Sequence, residues 1–292
     1  NLKAGDVITC TFTNVKNGHL IVQKTTSPSG DLTQFSINAT GTGNITGGGA
    51  GSVSDANDYD YEVTPGTYSV PENQPAGWSK NEDNCQNVTI AAGETKYCEI
   101  SNVKLGTISI VKDSEPNDSM DFSFSTTGGL TPSTFSLDDD SDPILSNTES
   151  FLNIFPGSYS VTEGAFKGFD LTGIVCSDPS QNTTSDLVTK TASINLGAGE
   201  NIVCTFTNTK NAHLVVDKVT LPSGDSTSFD FMLRGIEYLK EFSLTDQANP
   251  DDTELAPGSY AVKELQTPEG WSLTGINCGE GVNNLDILLN PG

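Results

Sequence analysis

The stretch "TPGTYSVPE" at residues 64–72 returns as "FPGSYSVTE" at 155–163 and again as "APGSYAVKE" at 256–264. Proline followed by glycine makes a turn, and the Tyr-x-Val alternation behind it is the period-two pattern of a half-buried strand. Three copies of one turn-and-strand unit, spaced at the size of a small domain, predict a threefold repeat of one β-rich domain. The same neighbours recur around each copy. Upstream stand "HLIVQK" at 19–24, "TISIVK" at 107–112 and "HLVVDK" at 213–218, followed by Phe35-Ser-Ile37, Phe122-Ser-Phe124 and Phe229-Asp-Phe231. Downstream stand "AGWS" at 76–79, "KGFDLTGIVC" at 167–176 and "EGWSLTGINC" at 269–278, then a closing strand, "AGETKYCEISNVK" at 92–104 and "AGENIVCTFTNTK" at 198–210.

Short alternating strands divided by turn signals predict an all-β chain of tandem Greek-key β-sandwiches. No long segment keeps a helical apolar period. "FDFMLRGIEYLKEFSL" at 229–244 comes closest, and its alignment with the Phe-x-Phe strand of the second repeat makes it strand. The predicted sandwiches are 18–104, 105–210 and 211–292, and their junctions leave almost no linker, which predicts a semi-rigid rod.

The third repeat reaches "LDILLNPG" without a closing strand, whereas a strand of that type, "AGDVITCTFTNVK", lies at 4–16. Residues 1–17 are therefore expected to be the closing strand of a preceding or neighbouring domain, and 211–292 a sandwich that lacks its own. A sandwich without that strand exposes an apolar groove and unpaired edge groups. On this reading the chain is one period of a polymer, its partners copies of itself or adjacent periods of the same polypeptide, end to end. The periods are either covalently continuous or exchange this strand between subunits. The alternative is that 1–17 folds back on the third repeat.

The chain carries 38 acidic and 14 basic residues, a formal net charge of -24, and a single arginine, Arg234. Nucleic-acid binding needs a basic footprint, and an anionic membrane surface repels such a chain. No apolar stretch is long enough to span a bilayer. The six cysteines fall at matching places: one after the Trp/Phe signature and one on the closing strand of each repeat. This predicts disulfides Cys85–Cys98 and Cys176–Cys204, leaves Cys278 to pair with Cys10, and favours an oxidising compartment over metal binding.

Strand parity carries the most chemistry. Side chains alternate across a strand, so Lys112 shares a face with Ile108 and Ile110, Asn208 with Cys204 and Phe206, and Glu163 with Tyr159 and Val161. A lysine, an asparagine and a glutamate are thus expected inside each sandwich: Lys24, Asn102 and Glu72; Lys112, Asn208 and Glu163; Lys218, Glu264 and the displaced Asn14. Burial lowers an amine's pKa and raises a carboxyl's. A neutral lysine held against an asparagine amide can condense with it once, expelling ammonia. The other reading is a buried Lys–Glu ion pair with asparagine as a hydrogen-bonding partner.

The lysine-bearing opening strand ("IVQK", "SIVK", "VVDK"), the "PGTYSVPE"/"PGSYSVTE"/"PGSYAVKE" run and the closing "ISN"/"TFTN" together resemble the SpaA/CnaB-type, prealbumin-like (Ig-like) repeat domains of bacterial surface proteins and pilins. The resemblance covers essentially the whole chain, repeat by repeat. It implies an extracellular, cell-surface or secreted stalk or pilus-like filament, crosslinked by Lys–Asn isopeptide bonds with the glutamate as catalyst. It implies no turnover chemistry. The alternative within the same resemblance is a ligand-binding adhesin module that uses the exposed sandwich loops. No sorting signal or pilin-type polymerisation motif is visible.

Two weaker signals remain. Asp138, Asp139, Asp140 and Asp142 crowd into "LDDDSDP" at 137–143, an oxygen-rich loop that could hold Ca2+, the one cofactor the sequence suggests. "SDANDYD" at 54–60 is a second acidic loop. Asn38, Asn44, Asn87, Asn117 and Asn182 stand in Asn-x-Ser/Thr contexts, the pattern of glycan acceptors in a secreted protein.

Overall fold

The computed structural model describes residues 2–279 and 281–292. The described chain is all-β: tandem sandwiches built from short strands.

In the first sandwich a four-stranded sheet runs in the order Tyr59–Val63, Gly18–Ser27, Thr95–Lys104, Trp78–Asp83. The opening strand Gly18–Ser27 lies parallel to the closing strand Thr95–Lys104, with Lys24 opposite Ile100 and Thr26 opposite Asn102. Two three-stranded ribbons make the rest: Ala50–Val53, Phe35–Asn38 and Glu72–Asn73 in one, Thr40–Gly41, Gly66–Ser69 and Val88–Ile90 in the other. One core cluster joins them, from Leu20 and Val22 through Phe35, Val53, Tyr61 and Tyr68 to Trp78 and Ile100. Burial follows the period of two: Leu20, Val22, Lys24 and Thr26 are all inward on the opening strand, and Cys98, Ile100 and Asn102 on the closing one.

The second sandwich repeats the plan. One sheet runs Thr148–Ile154, Gly106–Glu115, Asn201–Lys210, Phe169–Ser177, and the other Thr134–Leu137, Phe122–Thr127, Gly157–Glu163, Thr191–Leu196, Thr184–Asp186. Ile108, Ile110, Phe122, Phe124, Val161, Cys204 and Phe206 fill its core.

Local chemistry explains why the repeated motifs fold this way. The tyrosine of the Pro-Gly-x-Tyr motif reaches back across its own turn: Tyr68 donates to the Thr64 carbonyl and Tyr260 to the Ala256 carbonyl at 2.8 Å. The glycine before each core aromatic of the Trp/Phe signature, Gly77, Gly168 or Gly270, has φ of 79°, 83° or 87°, a conformation that an L side chain resists. An aspartate clamps the bend after each opening strand. Asp55 accepts from Thr26 N and Gly30 N, Asp139 from Ser114 N, and Asp246 from Thr220 N and Gly224 N.

The third sandwich departs from the plan. Phe229–Arg234 and Leu239–Leu244 form the expected hairpin, in a four-stranded sheet with Gly258–Glu264 and Ile287–Leu289. Among the described residues the opposite sheet has two strands, Ala212–Val216 and Asp251–Leu255. The closing strand that lies beside the opening strand in the other sandwiches has no counterpart here among the described residues. The segment 269–278 forms no strand, because in the other sandwiches its equivalent pairs with the closing strand. Residues 2–17 also form no strand, and Val7 and Phe12 stand 92% and 89% exposed.

Candidate functional site

The opening, Pro-Gly and closing elements converge on one buried point in each sandwich. In the first, the Lys24 Nζ lies 3.0 Å from Glu72 Oε2, with both side chains wholly removed from solvent. Lys24 also donates to the Ile100 carbonyl at 3.2 Å. Asn102 Nδ2 donates to Glu72 Oε1 at 2.6 Å, and its Oδ1 is buried without a hydrogen bond among the described residues. Burial pushes the Lys24 amine below its ordinary range, against the pull of Glu72.

In the second sandwich, Lys112 Nζ donates to Asn208 Oδ1 at 2.9 Å and to the Phe206 carbonyl at 3.1 Å, with Glu163 Oε1 at 3.9 Å. The Lys112 and Glu163 side chains are fully buried. Burial pushes Lys112 down to about 8, although Glu163, Asp113 and Asp139 oppose it. Burial also raises the Glu163 carboxyl, against Lys112 and Asn208. An amine at about 8 is neutral in roughly a tenth of molecules at neutral pH.

In the third, Lys218 donates to Glu264 Oε2 at 3.0 Å, and Glu264 Oε1 accepts from Thr267. Among the described residues no asparagine joins them. Asn14 lies in the exposed 2–17 segment, so the structure does not assemble the expected third set.

A feature that the sequence reading missed covers each lysine. Lys24, Lys112 and Lys218 sit 4.2, 4.1 and 3.9 Å from the ring centroids of Phe35, Phe122 and Phe229. Each ring is in turn met edge-on by Trp78, Phe169 or Trp271. The repeat alignment of these phenylalanines was the available signal. The rings exclude water and attract the ammonium form.

Cys85 is bonded to Cys98 and Cys176 to Cys204, while Cys10 and Cys278 are free and exposed. Of the four loop aspartates, Asp138, Asp140 and Asp142 place carboxylate oxygens within 4.8 Å of one another, a cluster that could hold a metal ion. Asp139 is not part of it, since its carboxylate is turned to Ser114 N at 2.9 Å. The 54–60 loop disperses its acids: Asp55 clamps the bend, Asp58 accepts from Gln23, and Asp60 meets His19. His19 and His213 form exposed contacts with Asp60 and Asp252 at 3.0 and 2.8 Å.

Family models described as a prealbumin-like fold domain, of the SpaA type, match residues 13–110 and 108–210. No curated protein matches the chain. Among solved structures, the chain is similar to the Bacillus anthracis TIE protein at 18% identity and a TM-score of 0.38, over 94% of this chain and 48% of that one, so it spans about half of that protein's length. It is similar to the major pilin of Streptococcus pyogenes at 16% identity and a TM-score of 0.30, over 68% of this chain and 99% of the pilin. It is also similar to the pilus adhesin SpaC of Lactobacillus rhamnosus GG at 12% identity and a TM-score of 0.27, over 88% and 37%.

Proposed function

Because residues 13–210 of this chain belong to the SpaA family of prealbumin-like domains, we propose that it is a structural segment of an extracellular surface filament or stalk. Its sandwiches are locked by disulfides and by Lys–Asn isopeptide bonds that form without turnover. The single observation that carries this reading is the contact between Lys112 Nζ and Asn208 Oδ1 at 2.9 Å, in a pocket where burial depresses the amine and raises the neighbouring Glu163.

The chemistry follows from that arrangement. The neutral Lys112 amine attacks Asn208 Cγ while the Glu163 proton polarises Oδ1. Glu163 gives its proton to the departing Nδ2 and takes up the proton that the attacking Lys112 nitrogen sheds. A C–N bond to Lys112 forms, the C–Nδ2 bond breaks, and ammonia leaves. Fixing both groups in one dry pocket supplies the advantage that dilute solution lacks. Lys24, Asn102 and Glu72 act in the same roles in the first sandwich, after the Asn102 amide turns its oxygen toward Glu72. Peptide mapping tests this. Branched peptides joining Lys112 to Asn208 and Lys24 to Asn102 are expected, and linear peptides carrying both residues unmodified would contradict it.

Disulfides in two sandwiches support an oxidising, extracytoplasmic setting. The net charge of -24 keeps copies apart except where specific contacts join them end to end. Calcium at Asp138, Asp140 and Asp142 is part of the same proposal, since hard carboxylate oxygens suit that ion. Asp138 is only 5% exposed, and burial beside Asp140 and Asp142 raises its carboxyl, a cost that a cation relieves.

A further inference from the structure

We propose that the disulfides of the first two sandwiches are positioning devices for the Lys–Asn crosslinks: each holds a β-bulge beside the asparagine, so that isopeptide formation follows disulfide closure. This rests on the isopeptide reading above and adds to it an order of events and a dependence on oxidation.

The device is a mismatch in length between two paired strands. From the core aromatic of the Trp/Phe segment to its cysteine is seven residues, Trp78 to Cys85 and Phe169 to Cys176. From the closing-strand cysteine to its lysine is six, Cys98 to Lys104 and Cys204 to Lys210. Both ends of the pair are pinned. At one end Trp78 lies opposite Lys104 and Phe169 opposite Lys210, with the lysine amines 5.4 and 5.7 Å from the ring centroids. At the other end stand the bridges Cys85–Cys98 and Cys176–Cys204. Between these pins the longer strand has one residue too many, and it must leave the ladder as a bulge.

In both sandwiches the bulge falls beside the asparagine. The register shifts between Ser101 and Asn102 in the first, where Asn81 is the extra residue. In the second, Leu171 faces Asn208 and Gly173 faces Thr207, which leaves Thr172 as the extra residue. Thr172 Oγ1 donates to the Thr207 carbonyl at 3.3 Å and shares a hydrogen bond of 2.9 Å with Thr209 Oγ1, so it grips both neighbours of Asn208. The bridging cysteine also sets the asparagine's face, because Cys98, Ile100 and Asn102, like Cys204, Phe206 and Asn208, alternate inward along one strand.

A bulge bends its strand and re-aims the side chains beside it. With the bridge open, one pin is gone and the extra residue is free to move along the pair or run out of its end. The bend at the asparagine goes with it, and residues between turn to the other face. A misplacement of about 1 Å costs such a reaction about a hundredfold. Closing a bridge takes two electrons and two protons from two thiols and passes them to dioxygen or a small disulfide. The crosslink itself consumes no oxidant, and oxidation acts on it only through where the asparagine points.

The test uses the whole chain carrying Cys10→Ser and Cys278→Ser, unfolded and reduced in urea and then refolded with oxidised glutathione. Samples taken over time are alkylated and mapped. Molecules with the Lys112–Asn208 or Lys24–Asn102 branched peptide are expected to carry no alkyl label at the matching bridge. Refolded under reductant instead, at a temperature where near-ultraviolet circular dichroism shows packed sandwiches, the chain forms branched peptides on the order of a hundredfold more slowly. Later addition of oxidised glutathione restores the fast rate, a recovery that a bridge serving only stability does not give. Cys176→Ala with Cys204→Ala slows the Lys112–Asn208 bond and leaves Lys24–Asn102 fast. Thr172→Val slows the same bond with its bridge intact. Branched peptides on molecules whose bridging cysteines are alkylated, formed as fast as on bridged ones, overturn this proposal alone. A fully bridged chain that yields no branched peptide removes the isopeptide reading and this proposal with it.

Discussion

Replacing Glu163 with glutamine keeps the shape of the buried side chain while removing its proton relay. Lys112 and Asn208 remain, 96 residues apart in sequence, and the bond between them is expected not to form. A crosslink closing a loop of about 100 residues restricts the unfolded chain by about 4.7 kcal/mol on the chain-entropy estimate. For a domain of this size each kcal/mol moves the midpoint by roughly 4–8 °C, so the second sandwich of Glu163→Gln should melt roughly 20–40 °C lower. Scanning calorimetry reads this directly, with Asn208→Ala as the companion, since it loses the same bond while keeping Glu163. The reasoning is refuted if Glu163→Gln still yields the branched peptide, or if both variants lose the bond and melt within a few degrees of wild type.

Other expectations follow from the same structure. In Asn208→Ala, which cannot crosslink, Lys112 sheds its proton at about 8 when folded and near 10.5 when unfolded, so the unfolded chain holds the extra proton between these values. Stability should therefore rise with pH across that window, by about 3 kcal/mol, and be lost as pH falls through 8; denaturant titrations at several pH values check this, and a flat profile contradicts it. Phe206→Ala removes a fully buried ring packed edge-on against Phe124 at 5.3 Å and should cost about 3–5 kcal/mol by the same titrations. The double change Cys85→Ser, Cys98→Ser opens a crosslink of separation 13 and should lower the stability of the first sandwich by about 3 kcal/mol. Calorimetric titration with calcium should show one site that Asp140→Asn weakens and Asp139→Asn spares, because Asp139 is engaged by Ser114 N.

Why the sheets and their inward faces were legible in the sequence is plain from particular residues. A strand has only two faces, so Ile108 and Ile110 on one side of the opening strand carry Lys112 with them to the interior, where the structure places it. The Pro-Gly turn names its own strand because Tyr68 and Tyr260 close it by a local bond. What parity does not reveal is the neighbour across the core. The phenylalanine lids over Lys24, Lys112 and Lys218 come from a strand of the opposite layer, and only the three-dimensional packing brings them there. The acidic loop was legible only in part, for a related reason. Four aspartates within five residues look alike in sequence, and a backbone amide at Ser114 decides which one is withdrawn from the cluster. The third sandwich shows the limit most clearly: the repeat alignment marks 269–278 as strand, yet those residues form none, because their equivalents elsewhere pair with a closing strand.

The central claim is that the buried lysines of the first two sandwiches are covalently joined to their asparagines. The intact mass of the native, never-reduced monomer tests it most directly. Each isopeptide bond removes ammonia, about 17 Da, so two bonds predict a mass about 34 Da below that of the disulfide-bonded sequence. A mass that matches the disulfide-bonded sequence alone would contradict the account.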